Sequence, residues 1–254
     1  MDSSNRNIMP GAGPFYFEGN DIGILLLHGG GGGTAADLKP MAEFLHNEGG
    51  FTVRVPLLSG FGTTPEELKD TPISAWMEDL EVEYNFLKQK VKKIVVGGHS
   101  MGAIFSLYLG ATKNPDAIFT ISAPIGVKGI LPKLLPLVKY FIKSYPLPID
   151  EFEKETDGAW VGYDKFPLKA GTRLFKIIKE FKKYYPKITC PTLLIQGRLD
   201  GVIKTSSMDK IYGMINSKNK RKLWLENSDH PILKNPDEDL LFTEILNFMK
   251  EVTK

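Results

Sequence analysis

Cysteine is almost absent from this chain of 254 residues, and its scarcity excludes several kinds of protein. The single thiol, Cys190, cannot form an internal disulfide or supply a cluster of thiolate ligands. This excludes disulfide-stabilised scaffolds and cysteine-based zinc modules. One cysteine is also what a protein of a reducing compartment would have, so we expect a cytoplasmic location.

Long hydrophobic runs and an excess of one charge are missing as well. The longest apolar stretches, such as 24–27 and 103–109, are far shorter than the roughly 20 residues that cross a bilayer. Residues 1–10 lack the basic and apolar segments of a secretory signal. Lys and Arg total 32 against 30 for Asp and Glu, a formal net charge of +2. We therefore expect a soluble protein with no integral membrane association and no nucleic-acid partner.

The chain does contain short apolar runs that alternate with amphipathic stretches. Runs that are apolar on both faces are typical of parallel strands buried between helices, so the pattern predicts an α/β fold. The expected strands are residues 22–27, 51–55, 94–96, 118–122, 192–196 and 222–225, with 15–17 as an antiparallel edge strand. The expected helices are residues 35–47, 74–88, 100–113, 172–184, 206–215 and 237–252.

The connection between the strands ending at Ser122 and beginning at Thr192 is too long for one crossover helix. Residues 124–187 are therefore expected to form an extra unit, here called the insertion, within a core made of residues 1–123 and 188–254. Its prolines, and the mixture of apolar residues and lysines in 131–143, predict a small helical cap over the strand ends. The lysines of 176–187 are interpreted as a solvated helix face, with contact to a membrane surface as the alternative.

The strongest local pattern is Gly98-His99-Ser100-Met101-Gly102, which lies between a predicted strand and a predicted helix. This is the G-x-S-x-G motif in its required context of strand, sharp turn and helix. Glycines two residues before and after the serine relieve crowding at a strained turn. Ser100 is thus expected to present a nucleophilic hydroxyl above the sheet, whereas the alternative is an ordinary glycine-rich turn.

A serine hydroxyl needs a base, and the chain has four histidines. His28 ends a predicted strand, His46 lies in a predicted helix, and His99 adjoins the serine with its side chain expected to point elsewhere. His230 follows the last predicted strand in a polar loop at the carboxyl edge of the sheet, where active-site loops of α/β folds gather. His230 is the candidate base.

A carboxylate between the serine and the histidine in sequence should orient the imidazole. Asp200 fits because it follows the predicted strand 192–196. Asp229 is the competitor, but a residue next to His230 in an extended loop normally points the opposite way. We therefore expect Asp200 to fill this role.

An oxyanion formed during acyl transfer needs two hydrogen-bond donors. The backbone N–H of Met101 is one candidate, and the glycine run 29–33 offers the other, with Gly30 best placed. Five glycines before a helix also suggest a phosphate cradle. However, no Lys-Ser or Lys-Thr follows, and Thr34 breaks the G-x-G-x-x-G pattern.

These motifs together resemble those of the serine-dependent α/β-hydrolases: LLLHG at 25–29, the turn at Ser100, GRLD at 197–200 and DH at 229–230. Three further segments are similar to those of the bacterial and archaeal carboxylesterase and monoacylglycerol lipase group. They are PFYF at 14–17, GFGTTPEEL at 60–68, and GYD at 162–164 with Pro167. That group usually has Gly-His-Gly where this chain has Phe61 between two glycines, and its glycine run after His-Gly is shorter.

The resemblance implies hydrolysis of carboxylic esters through an acyl-enzyme, with no metal and no organic cofactor. Ser100 would be the nucleophile, His230 the general base and then acid, and Asp200 the residue that orients it. The expected substrates are small-molecule esters, either short- to medium-chain acyl esters or monoacylglycerols, with the insertion forming the acyl pocket. A homodimer is one possible assembly. The alternatives are a thioesterase, a C–C bond hydrolase, a peptidase, a perhydrolase, or a ligand-binding scaffold without catalysis.

Overall fold

The strands expected from the sequence pair into one seven-stranded sheet in a computed structural model, which describes residues 7–129 and 142–254. Its order is β1-β3-β2-β4-β5-β8-β9, with β1 antiparallel to β3 and the other pairs parallel. A separate two-stranded antiparallel sheet joins β6 and β7. The strands are β1 Phe15–Phe17, β2 Ile22–Leu27, β3 Thr52–Val55, β4 Lys93–His99, β5 Ala117–Ile121, β6 Ser144–Pro146, β7 Lys165–Pro167, β8 Thr192–Gly197 and β9 Lys220–Leu225.

Helices cover both faces of the large sheet. They are α1 Lys39–Gly49, α2 Pro65–Asp70, α3 Ile73–Lys88, α4 Met101–Thr112, α5 Ile149–Glu155, α6 Leu168–Glu180, α7 Ser206–Met214 and α8 Glu238–Val252, with 3-10 turns at Ala35–Leu38 and Phe181–Lys187. Helices α1 and α8 pack on one face, and α3, α4 and α7 pack on the other. Within the described ranges, no helix is both long and apolar enough to cross a bilayer.

Strand β2 shows why the sequence specifies this layered arrangement. Ile24 and Leu26 pack among the side chains of α1 and α8, whereas Leu25 and Leu27 pack among those of α3 and α4. All four are fully buried, because successive side chains of a strand point to opposite faces and both faces are covered. The α/β prediction is confirmed.

The insertion holds more than the helices expected there. Helix α6 begins at Leu168, directly after Pro167, and the 3-10 turn that follows it contains Pro186. The small β6–β7 sheet was not predicted, because its strands have three residues each and both contain a proline, which strand patterns rarely tolerate. Most of the stretch 131–143, expected to be helical, lies outside the described residues.

Helix α2 was also not predicted, although its sequence carries a clear start signal. The Thr64 side chain accepts a hydrogen bond from the Glu67 N–H at 3.1 Å, and Pro65 occupies the first turn. This short helix ends the GFGTTPEEL segment. The loop 60–64 that precedes it lies beside the carboxyl end of β2, where Phe61 contacts His28.

Parallel pairing brings the carboxyl ends of β2, β3, β4, β5, β8 and β9 to one edge of the sheet. The loops that leave these ends are therefore neighbours in space although they are distant in sequence. This edge is where ligands bind in open α/β sheets. All the candidate residues from the sequence lie on it.

Candidate active site

The turn between β4 and α4 holds Ser100 in a strained conformation with φ 53° and ψ −111°. A methyl group added at Gly98 would lie 2.5 Å from the backbone of Gly102, and one added at Gly102 would overlap the carbonyl oxygen of Leu27. The Ser100 N–H donates to the carbonyl of Ile121 at 2.9 Å, which ties the turn to β5. Only glycines fit on either side, so the hydroxyl is held at the start of α4.

His230 lies between Ser100 and Asp200. Its Nε2 is 3.1 Å from the Ser100 Oγ, and its Nδ1 is 2.9 Å from the Asp200 Oδ2. The His230 side chain is 12% exposed and that of Asp200 is fully buried. The fold thus brings together three side chains that are separated by 100 and 30 residues in the chain.

Asp200 is held as a carboxylate by its hydrogen bonds. Burial by itself raises its pKa, but the hydrogen bond and charge of His230 and the N–H groups of Ile203 and Val202 lower the pKa below its ordinary value. The two N–H groups donate to Oδ1 at 2.9 Å and 3.0 Å. Because a carboxylate only accepts hydrogen bonds, Nδ1 of His230 carries the hydrogen and Nε2 is left to accept from the Ser100 hydroxyl.

Asp229, the competing carboxylate, contacts backbone groups. Its Oδ1 accepts from the N–H of Gly201 and from the N–H of His230, both at 2.6 Å. It therefore joins the loop of Asp200 to the loop of His230. Of the two candidates, Asp200 is the one in contact with the imidazole.

The glycine run 29–33 lies against the start of α4. A methyl group at Gly30 would lie 2.7 Å from the Met101 Sδ, so the backbone at Gly30 is packed directly on Met101. Within the described residues, no hydrogen bond uses the N–H of Gly30 or of Met101. These two donors are the ones expected from the sequence, and they lie on neighbouring segments beside Ser100.

His28 anchors the base of the glycine run. Its Nδ1 donates to the carbonyl of Gly29 at 2.8 Å, and its Nε2 accepts from the N–H of Leu58 at 3.1 Å. Burial lowers the pKa of His28 to about 4, so the ring is neutral at pH 7. Phe61 packs on this ring edge to face, with 5.0 Å between ring centres. The phenylalanine that replaces the usual histidine thus forms part of the wall behind the run.

His99 has a role that the sequence did not reveal. Its Nε2 bonds to the backbone carbonyl of His230 at 2.9 Å. The partners are 131 residues apart, so no local pattern could have indicated the contact. Among the described residues, no group of three or more His, Cys, Asp or Glu side chains could hold a metal ion.

Comparison with protein families gives a match over residues 20–237 to the Hydrolase_4 family, described as serine aminopeptidase, S33. The match spans most of the chain and includes every residue of the site. The chain belongs to this family. Its fold and its resemblance to the serine α/β-hydrolases agree with that assignment.

Two curated proteins are similar over almost the whole length. A carboxylesterase of Bacillus subtilis (strain 168) is 32% identical over 247 residues, covering 94% of this chain and 96% of the relative. A thermostable monoacylglycerol lipase of Bacillus sp. (strain H-257) is 31% identical over 248 residues, covering 97% of both. The predicted resemblance to this group is confirmed, and the chain is an α/β-hydrolase of the carboxylesterase and monoacylglycerol lipase type.

Solved structures agree with the fold. A structure reported with LipS and LipT, two metagenome-derived lipolytic enzymes, has a TM-score of 0.88 at 27% identity and covers 96% of this chain and 100% of its own. A soluble variant of monoglyceride lipase from Saccharomyces cerevisiae, in complex with a substrate analog, has a TM-score of 0.76 at 16% identity, with coverage of 94% and 89%. At that identity the second likeness concerns the fold alone.

Proposed function

We propose that this protein hydrolyses carboxylic esters through a Ser-His-Asp triad made of Ser100, His230 and Asp200. The observation that carries the proposal is the position of the His230 imidazole, with Nε2 3.1 Å from the Ser100 Oγ and Nδ1 2.9 Å from the Asp200 Oδ2. These distances lie within reach of proton transfer on one side and of an orienting hydrogen bond on the other.

In the acylation step, the Ser100 Oγ attacks the ester carbonyl carbon while its proton moves to Nε2 of His230. The imidazolium that forms is stabilised by the buried Asp200 carboxylate, which keeps its own hydrogen bonds from the backbone throughout. The carbon–oxygen bond to the leaving group then breaks, and His230 returns the proton to the departing alkoxide. An acyl group remains on Ser100.

The negatively charged oxygen of the tetrahedral intermediate is stabilised by hydrogen-bond donors that are in position before the reaction. We assign this role to the N–H groups of Gly30 and Met101, since both lie beside Ser100 on packed segments. One such donor is typically worth about 10² to 10³ in rate. The N-terminal end of α4 adds a favourable dipole at the same point.

In the deacylation step, a water molecule attacks the acyl carbon as His230 takes its proton. The second tetrahedral intermediate collapses, the carboxylic acid leaves, and Ser100 recovers its hydrogen from the imidazolium. The cycle consumes one water and one ester and yields one acid and one alcohol. Every proton transfer uses Nε2 of His230.

The insertion is proposed to act as a cap that binds the acyl chain. Leu147 and Phe166, both partly exposed, approach the glycine run at Gly32, where an added methyl group would lie 2.6 Å from Leu147 and 3.9 Å from Phe166. Apolar side chains at this point suit an aliphatic chain better than a charged group. Together with the names of the two Bacillus relatives, this supports short- to medium-chain acyl esters or monoacylglycerols as substrates.

The decisive experiment measures hydrolysis of p-nitrophenyl esters from acetate to palmitate, together with a monoacylglycerol, for the parent and for Ser100→Ala. The matched control is Ser206→Ala, at an exposed serine at the start of α7. We expect Ser100→Ala to lose activity by at least about 10³-fold and the control to keep it. A folded parent that is inactive on every ester would overturn the proposal.

A second readout identifies the nucleophile without a choice of substrate. An alkyl fluorophosphonate should modify the peptide that contains Ser100, and mass spectrometry locates the adduct. Because the family is described as serine aminopeptidase, aminoacyl anilides belong in the same substrate panel. Labelling at Ser100 with turnover of anilides and no turnover of esters would move the assignment to a peptidase.

A further inference from the structure

Three consecutive residues of the insertion, 161–163, are in direct contact with the glycine run. The Thr34 hydroxyl donates to the carbonyl of Val161 at 2.8 Å, and the N–H of Tyr163 donates to the carbonyl of Gly32 at 3.1 Å. A methyl group at Gly162 would overlap the same Gly32 carbonyl oxygen, so the two backbones touch. The outer side of the run is thus held by the insertion.

The side chain of Tyr163 extends this contact to a second loop. It is 1% exposed, and its hydroxyl donates to the carbonyl of Gly60 and accepts from the N–H of Thr63 at 3.2 Å. Burial raises the pKa of Tyr163, so the phenol keeps its hydrogen and remains a donor at neutral pH. One residue therefore joins the insertion to the glycine run and to the loop 60–63.

The glycine run depends on such contacts because it has no side chains with which to pack. A methyl group at Gly31 would meet no atom within 4 Å, and Gly32 has φ +107°, which few other residues adopt. The inner side of the run lies against Met101, and His28 fixes only its first residue. On the outer side, the contacts at Gly32 and Thr34 complete what His28 and Met101 begin, so they contribute to the position of the Gly30 N–H.

We propose that Tyr163 is a positioning residue for the oxyanion site: through the Gly32 carbonyl and the loop 60–63 it holds the Gly30 N–H in line with the Met101 N–H. This inference rests on the proposed function, since it assumes an oxyanion at Ser100. The insertion would thus complete the site as well as cover it. A loss of this anchor should weaken binding of the transition state and leave binding of the ground-state ester almost unchanged.

The test compares Tyr163→Phe with Tyr145→Phe, a matched change at an exposed tyrosine of the same insertion. The measurements are kcat and KM for a p-nitrophenyl ester and the inhibition constant of an alkyl trifluoromethyl ketone, whose adduct with serine carries an oxyanion. Tyr163→Phe keeps the backbone bond to Gly32 and removes both hydrogen bonds of the hydroxyl. We therefore expect kcat to fall by about tenfold or somewhat more. KM should stay within about twofold, and the ketone should bind weaker by a factor similar to the loss in kcat.

Thr34 supplies an independent pair of variants. Thr34→Val removes the hydroxyl that bonds to Val161 and should lower kcat and ketone affinity together, whereas Thr34→Ser should restore both. Unchanged kcat and ketone affinity in Tyr163→Phe and Thr34→Val would overturn the inference, and so would a loss of thermal stability alone. An inactive parent that does not bind the ketone would instead overturn the proposed function.

Discussion

The Nε2 of His99 donates a hydrogen bond of 2.9 Å to the backbone carbonyl of His230, and the two rings lie 5.0 Å apart. Since a carbonyl only accepts, the hydrogen of the neutral His99 ring is on Nε2. Burial and the nearby His230 lower the pKa of His99 to about 3, so the ring stays neutral at pH 7. The residue before Ser100 therefore holds the loop that carries the proposed base.

We expect His99→Leu, which removes the donor, to lower kcat about fivefold, the usual net value of one hydrogen bond. His99→Gln can place an amide N–H near the position of Nε2 and should retain most of the rate. Steady-state kinetics on a p-nitrophenyl ester, with urea unfolding of each variant, measures the difference. Equal losses in both variants would assign the effect to ring packing instead of the hydrogen bond.

The two carboxylates near His230 should differ sharply when each is changed to the isosteric amide. Asp200→Asn replaces the acceptor of the Nδ1 hydrogen and removes the charge that stabilises the imidazolium, so kcat should fall on the order of 10⁴-fold. Asp229→Asn keeps an oxygen that accepts from the N–H groups of Gly201 and His230, and should cost less than about tenfold. If the order of the two losses were reversed, Asp229 would have to be the orienting residue.

The buried carboxyl of Asp37 should make the free energy of unfolding depend on pH. Burial raises its pKa from 3.8 to about 7, and its Oδ1 has no hydrogen-bond partner among the described residues. The folded state thus binds a proton that the unfolded chain releases near pH 4. This contribution to stability is complete below pH 4 and is lost as the pH rises through about 7.

Asp37→Asn cannot ionise at this position. Between pH 5 and pH 8 its free energy of unfolding should therefore fall less than that of the parent, and the difference should be on the order of 2 kcal/mol. Urea titrations at both pH values measure this difference. The control is Asp164→Asn, at an exposed carboxylate, which should follow the parent. A slope in Asp37→Asn equal to that of the parent would mean that Asp37 is ionised in the folded protein.

Two glycine-to-alanine changes should have opposite effects on stability. At Gly102 the added methyl group overlaps the backbone of Leu27, which cannot move without breaking the sheet, so Gly102→Ala should abolish folding. At Gly213, in α7, the methyl group meets no atom within 4 Å, and the helix should gain about 0.5 kcal/mol. Circular dichroism and urea unfolding of both variants test the pair, and a well-folded Gly102→Ala would contradict the described turn.

The fold was predictable where local pattern and tertiary environment agree. Buried parallel strands are apolar on both faces, as in β2 and β5, and this shows in the sequence. The motif at Ser100 is also mostly local. Its glycines are needed because the backbone of Gly102 lies against Gly98 and the backbone of Leu27 in β2 lies against Gly102. The order of Ser100, Asp200 and His230 along the chain then identified which side chains to look for at the carboxyl edge of the sheet.

What the sequence did not reveal are the long-range contacts that hold those side chains in place. The bonds of His99 to His230 and of Tyr163 to Gly60 join residues more than a hundred positions apart. Neither leaves a periodic signal, because each depends on how two loops meet after the sheet has formed. The β6–β7 sheet was missed for a related reason: three-residue strands exist only because the rest of the insertion brings them together.

The place of β5 in the sheet has a consequence during synthesis of the chain. Strands β1 to β5 come from residues 15–121 and can pair as soon as they leave the ribosome, but the partner on the free side of β5 is β8, which follows the whole insertion. At about 5 to 20 residues per second, the roughly 70 intervening residues take about 4 to 14 seconds to emerge. Throughout that interval the backbone N–H and C=O groups on this edge of β5 are unpaired and can pair with another chain, and the length of the insertion sets how long this lasts.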